Sequence, residues 1–125
     1  MRAGILSDLR VKRAYRAARL SDGQRVLVDR IWPRGLTKDR LRLADWAKDL
    51  APSDELRKWF GHDPAKWDEF RQRYARELDA RPDEVKALRA RLTDGPVTLV
   101  YGAADEEHNN AVALKAYLER REQGR

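Results

Sequence analysis

Two short stretches hold most of the side chains that could do chemistry. In VLVDRIWPRG, residues 26–35, Asp29 and Arg30 stand where an apolar run gives way to a turn, and Arg34 follows within Pro33-Arg34-Gly35. In YGAADEEHNNAVAL, residues 101–114, a second apolar run is followed by Asp105, His108, Asn109 and Asn110. Arginine's planar fork grips phosphate or carboxylate through two hydrogen bonds, so Arg30 and Arg34, with Lys38, are candidates to converge on one anion. Asp29 has two readings: a carboxylate near a reacting group, or the local partner of a neighbouring arginine that pins the loop. Trp32 is either a stacking platform for a base or a lining of the core.

His62 and His108 are the two histidines of the chain, so a general base near neutral pH would be one of them, and His108 joins Asp29 as the catalytic candidate. A metal site of His62, His108 and Asp63 or Asp105 can be drawn, but the spacing matches no zinc motif and no metal is expected. His62 is expected to cap or pack the helix junction before Pro64. Asp105, three residues before His108, reads as a helix N-cap, with Glu106 and Glu107 complementing the dipole and occupying the field a phosphate would need. Asparagine is a poor interior helix former, so two in succession need a reason. If Asn110 faces the sheet, its amide must bond loop backbone or a ligand, and Asn109 and Asn110 are taken together as candidate ligand contacts. No G-x-S-x-G elbow, P-loop or dinucleotide glycine fingerprint occurs, and a chain without cysteine has no disulfide, thiolate nucleophile or iron–sulfur cluster. The cofactor, if there is one, is not legible.

The elements that must position these groups read as an α/β domain. Arg10 to Tyr15 is a weak strand, and Val26-Leu27-Val28, after the Asp22-Gly23 turn, is a strand buried on both faces. From Thr37 to Thr93 the period becomes helical. Leu43, Trp46, Ala47 and Leu50 form one stripe; Ser53 caps a helix carrying Leu56, Trp59 and Phe60, which Gly61 ends. Asp63-Pro64 opens a third helix with Trp67, Phe70, Tyr74 and Leu78 inward, and Pro82 a fourth with Val85, Leu88 and Leu92. Asp94-Gly95-Pro96 precedes the strand Val97–Tyr101, and a last helix from about Asp105 buries Ala111, Leu114 and Leu118. This order predicts a single compact α/β domain over residues 1–125, with helices around a small, mostly parallel sheet and a frayed tail over 119–125. In such sheets ligands collect beyond the carboxyl ends of the strands, where both chemistry-bearing stretches begin.

The net charge of +6 is unevenly placed: residues 1–42 carry 12 Lys or Arg against four Asp, and the remainder 15 basic against 17 acidic residues. That asymmetry suggests an anionic partner, either nucleic acid or a small phosphorylated molecule, or simply an arginine-rich soluble surface. No run is long enough to span a bilayer, and MRAGILSDLRVKR lacks the apolar middle of a signal peptide, so a cytoplasmic protein without a membrane partner is expected.

Three blocks, RVLVDRIWPRGLTKD, WAKDLAPSDELRKWFGHDPAKWDEFRQRYAREL and VTLVYGAADEEHNNAVALKAYL, together resemble the YeaO-like branch of the domain-of-unknown-function 488 family. The resemblance runs from about Val11 to Leu118. It rests on Asp29, Arg30, Trp32, Pro33, Arg34 and Gly35, on Trp46, Pro52, Ser53, Leu56, Arg57, Trp59 and Phe60, and on Asn109 or Asn110 with Ala111. Gly102 stands where relatives tend to carry another small residue. The resemblance implies a compact α/β cytoplasmic bacterial protein and leaves the activity open. Three functions remain: a small anionic ligand, phosphorylated or nucleotide-like, bound at the strand ends with or without catalysis; nucleic-acid binding through the basic first third; or a non-catalytic interaction protein in which Arg30 and Arg34 only brace the segment from Trp46 to Phe60. Neither a helix-turn-helix with its wing nor interleaved aromatics favours sequence-specific nucleic-acid reading.

Overall fold

Val26, Leu27 and Val28 are all fully buried although successive strand side chains point to opposite faces, so the sheet they belong to is covered on both sides. The computed structural model describes residues 8–123, with side chains for 8–120. Its sheet consists of β1 (Leu9–Arg13), β2 (Gln24–Leu27), β3 (Asp45–Trp46) and β4 (Val97–Tyr101), all parallel, in the order β1-β4-β2-β3. Five helices accompany it: α1 (Lys38–Leu41), α2 (Asp54–Phe60), α3 (Trp67–Asp79), α4 (Pro82–Arg91) and α5 (Asn110–Gln123). The expected α/β domain is the observed one, with the small sheet wholly parallel among the described residues.

The two faces are unequal. Leu9, Val26, Val28, Val97, Leu99 and Tyr101 look toward the major core, where α2 to α5 contribute Phe60, Phe70, Tyr74, Leu88, Leu114 and others. Leu27, Val100 and Ala14 look the other way, toward a minor core closed by Leu41 of α1 and by Trp32, Leu36, Leu43 and Trp46. The rest of that second face is polar. Asp22, 5 % exposed, bonds Lys12 Nζ and Arg25 Nη1, each at 2.8 Å, and Arg25, 3 % exposed, also gives Nε to the Leu41 carbonyl. Thr98 Oγ1 donates to the Asp22 carbonyl, tying this cluster to the central strand. Gly23 follows with φ +67°, and a Cβ there would lie 2.3 Å from the Pro96 carbonyl oxygen, so glycine is required by both conformation and space.

Most helix boundaries fall where the caps predict. Ser53 Oγ accepts from Leu56 N, and Gly61 closes α2 in the left-handed conformation. Asp63 caps as expected, but Pro64–Lys66 is a 3-10 turn and α3 itself begins at Trp67. The helix expected over Leu43 to Leu50 does not exist. Asp45–Trp46 is instead the edge strand β3, and Lys48–Leu50 a 3-10 turn. Leu43 and Trp46 pack in the minor core while Ala47 and Leu50 pack in the major one, so this stretch crosses the edge of the sheet. Its helical spacing arises because it serves two faces in succession. The Arg25 and Leu27 carbonyls accept from Ala44 N and Ala47 N, satisfying the backbone that a helix would have satisfied internally.

Burial favours the neutral form of Asp22, but hydrogen bonds from Lys12, the Arg19 amide and Arg25 outweigh it and hold its carboxyl below the usual range. A carboxylate lowered in the folded state contributes stability above its unfolded pKa, and that contribution is lost as pH falls through the folded value. Asp22→Asn leaves the Arg25 guanidinium buried without its counter-charge, and a loss of about 3 kcal/mol or more is expected in urea unfolding at neutral pH. The gap between variant and wild type should close as pH falls below about 4.

Candidate functional site

β2 and β4 are neighbours, so the loops leaving their carboxyl ends lie side by side, and Asp29 joins them. Its Oδ2 accepts from Gly102 N at 2.8 Å, and its Oδ1 from Asn110 Nδ2 at 3.0 Å. The same Asn110 nitrogen reaches the Val28 carbonyl at 2.6 Å, and Trp46 Nε1 donates to the Asp29 carbonyl at 2.7 Å. One residue thus links β2, the loop after β4, the first turn of α5 and the edge strand. The partner of Asp29 is not the neighbouring arginine that its sequence context suggested. Gly102 is so close that a Cβ on it would lie 3.1 Å from Asp29 Oδ2, tighter than an ordinary contact.

Among the described residues no cation is in hydrogen-bond contact with Asp29. Burial raises its pKa, while the Asn110 and Gly102 hydrogen bonds and the nearby His62 ring pull the other way without cancelling the rise. Among the described residues each carboxylate oxygen accepts one hydrogen bond, one fewer than its two lone pairs allow.

Beside Asp29 lies a cavity of about 350 Å³ at the strand ends. Pro33, Trp32, Phe60 and Phe70 supply its apolar surface, and the Phe60 and Phe70 rings stack with centroids 4.3 Å apart. Arg30, Arg34, Arg57, His62 and His108 line it, against the single carboxylate of Asp29. Its opening is therefore cationic and its wall apolar.

The residues singled out in the sequence meet here, but their duties differ. Arg30 is half-buried and largely spent: its guanidinium donates to the Pro52 carbonyl at 3.2 Å and lies 3.8 Å from Asp54. Arg34 is exposed and pairs with no acid among the described residues; only its carbonyl is engaged, by Tyr15 Oη. It stands in a turn closed by Leu36 N on the Pro33 carbonyl, with Gly35 at φ +82° as a type II turn requires. Lys38, starting α1, is not among the residues lining the cavity. Trp32 gives its indole N–H to the Leu36 carbonyl and meets Trp46 edge-on at 5.2 Å, so it belongs to the minor core as well as the cavity.

The cap of the last helix is Asn109, not Asp105. α5 starts at Asn110, and the buried Asn109 accepts from Val112 N through Oδ1 while its Nδ2 donates to the Asp105 carbonyl. Asp105 instead closes the preceding turn, accepting from Glu107 N and His108 N, and contacts His108 Nδ1 at 2.9 Å. The Glu107 and His108 hydrogen bonds lower its pKa. The His108 ring is further set edge-on against Trp67. With Nδ1 facing Asp105, Nε2 is the nitrogen left for another partner. The two adjacent asparagines are thus explained separately, one as a cap and the other as part of the rim.

Sequence reasoning missed Arg57, Phe60 and Phe70 as parts of the cavity, since their helices are remote in the chain and their patterning explains them as core or surface. His62, expected to cap or pack the junction before Pro64, follows Gly61 with φ +58°, a costly conformation for a residue with a side chain, and lines the cavity. Among the described residues no group of three His, Asp or Glu side chains gathers closely enough to hold a metal ion.

Asn110→Ala removes the donor shared by the Val28 carbonyl and Asp29, and is expected to cost about 1–3 kcal/mol in urea unfolding. Because that donor favours the charged form of Asp29, the loss should be larger at about pH 7 than at about pH 4. Asp29 itself, raised in the folded state, contributes stability that is present below its unfolded pKa and lost as pH rises through its folded value, opposite in sign to Asp22.

The chain is 40% identical over 111 residues to the uncharacterized protein YeaO of Escherichia coli, covering 89% of this chain and 96% of that one. It is 50% identical over 92 residues to the uncharacterized protein Rv3073c of Mycobacterium tuberculosis, covering 72% and 78% respectively. No solved structure matches. The family model DUF488-N3i, described as the inactive DUF488-N3 subclade, matches residues 8–124, and the chain belongs to that family.

Proposed function

We propose that this protein binds a small anionic ligand, phosphorylated or nucleotide-like, in the cavity at the carboxyl ends of β2 and β4. The carrying observation is the composition of that cavity: a stacked aromatic wall, three arginines and two histidines around it, and one carboxylate inside. Arg34 has no competing acid among the described residues and is the principal anion contact in this reading, with Arg57 and His62 beside it. Arg57 is only loosely engaged, 3.4 Å from Asp54 at a surface where such pairs are weak. Arg30 braces the Pro52 turn and helps through its field rather than by direct grip. Asn109 and Asn110 shape the cavity wall while their hydrogen bonds to Asp105, Val112, Val28 and Asp29 serve the fold.

The function is binding rather than reaction. Asp29 and His108 line the same cavity, and the Asp105 contact orients His108 as in a general base. The family description as an inactive subclade weighs against using that arrangement for turnover. The reading is of a cytoplasmic protein, the compartment where phosphorylated metabolites are abundant. Nucleic-acid binding is the weaker alternative, because several cations of the basic first third already have partners within the chain. Lys12 and Arg25 share Asp22, Arg16 pairs with Glu106, and Arg13 bonds the Ala103 carbonyl.

A thermal-shift comparison of wild type and Arg34→Ala tests the proposal with inorganic phosphate, nucleoside monophosphates, sugar phosphates and a short oligonucleotide. A small phosphorylated compound at about 100 times its Kd should stabilise wild type by about 2.7 kcal/mol. Arg34→Ala should weaken that ligand about tenfold, with a shallow dependence on salt. Stabilisation by the oligonucleotide alone, steeply salt-dependent and equal in both proteins, would instead favour the surface reading; no response to any small anion would refute the pocket.

A further inference from the structure

We infer that the ligand is bipolar: a phosphorylated planar ring whose far edge carries paired N–H donors of the amidine type, the chemistry of a guanine nucleotide. This rests on the anion-binding reading above and concerns the opposite end of the same cavity. A cavity built only to hold an anion has no use for a carboxylate, which repels the ligand and costs free energy to bury. Yet Asp29 lines this one, with neither arginine nor lysine in hydrogen-bond contact among the described residues.

The latch by itself does not require a charge. Gly102 N and the Asn110 amide are neutral donors, and both are fixed by the backbone and by the Val28 carbonyl. What the carboxylate adds is two parallel acceptors in one plane, with lone pairs left over on both oxygens. Two adjacent N–H groups on a ring match that geometry, as the N1–H and amino group of guanine do. The middle of such a ligand meets the stacked Phe60 and Phe70 pair and Pro33, surfaces suited to a flat ring. Its phosphate then reaches the exposed Arg34 and Arg57 and His62 at the opening. The cavity volume of about 350 Å³ falls in the range of small-ligand sites.

Adenine presents a bare ring nitrogen where guanine presents N1–H, so an Asp29 carboxylate repels it. Xanthine keeps N1–H but replaces the amino group with a carbonyl, which places oxygen against oxygen. Both are discriminated by the same two atoms. By isothermal titration of the full chain, GMP should bind about 10–100-fold more tightly than AMP or XMP, the range expected for hydrogen bonds to a charged group. Inorganic phosphate should bind more weakly than GMP. Asp29→Asn should bring GMP and AMP to near parity.

The wild-type ratios need no variant, so the inference remains testable even if Asp29→Asn does not fold. Equal binding of GMP, AMP and XMP by wild type, or phosphate binding as tight as GMP binding, would overturn the bipolar ligand and leave the anion-binding reading intact. Failure of all four probes, together with the absence of any response in the thermal-shift comparison, would remove the anion reading and this inference with it.

Discussion

Where parallel strands end, their last amides and carbonyls need partners that the sheet no longer supplies. In this protein Asp29 meets that requirement for several segments at once. Its carboxylate takes the Gly102 amide and the Asn110 side chain, and its carbonyl takes the Trp46 indole. The rim of β2, the rim of β4, the first turn of α5 and the edge strand β3 are positioned by these few bonds. Burial raises the pKa of the carboxyl, so the group that organises the rim is also the one least at ease with its charge.

The fold separates its charges by depth and by face. On the minor face, Lys12, Asp22 and Arg25 form a paired cluster beside the start of β2, in which Arg25 Nη2 alone is left without a partner among the described residues. At the other end, Arg34 and Arg57 stay exposed around the cavity. Among the cations of the first 42 residues, Lys12 and Arg25 thus serve the sheet while Arg34 lines the cavity. Some cations hold the sheet to its covering loop, and others remain at the opening. Counting them in the sequence cannot separate these destinations, because neighbouring residues of one type go to different places.

Legibility followed the range of the interaction. Ser53, Gly61 and Pro82 marked helix ends correctly, and Asp63 marked the 3-10 turn that leads into α3, since caps act over one turn of chain. Phe70, Tyr74 and Leu78 were recognisable as one buried stripe for the same reason. Over Leu43 to Leu50 local spacing misled, because the apolar residues serve two cores on either side of a sheet edge. Asp105 misled differently: two overlapping cap signals occur within five residues, and the buried Asn109 took the helix start while Asp105 kept the turn before it.

The sequence alone determined the class of fold, the strand Val97–Tyr101 and the existence of one at Val26-Leu27, and the two stretches that follow the carboxyl ends of those strands. These follow from periodicity and turn chemistry, which are local. Only the tertiary structure decided that Asp29 bonds Gly102 and Asn110 rather than an arginine, that Arg30 is spent on the Pro52 turn while Arg34 is not, and that Phe60, Phe70 and His62 complete the cavity. Those outcomes depend on which strands are neighbours, and strand order is set by packing across the whole chain rather than by any segment of it.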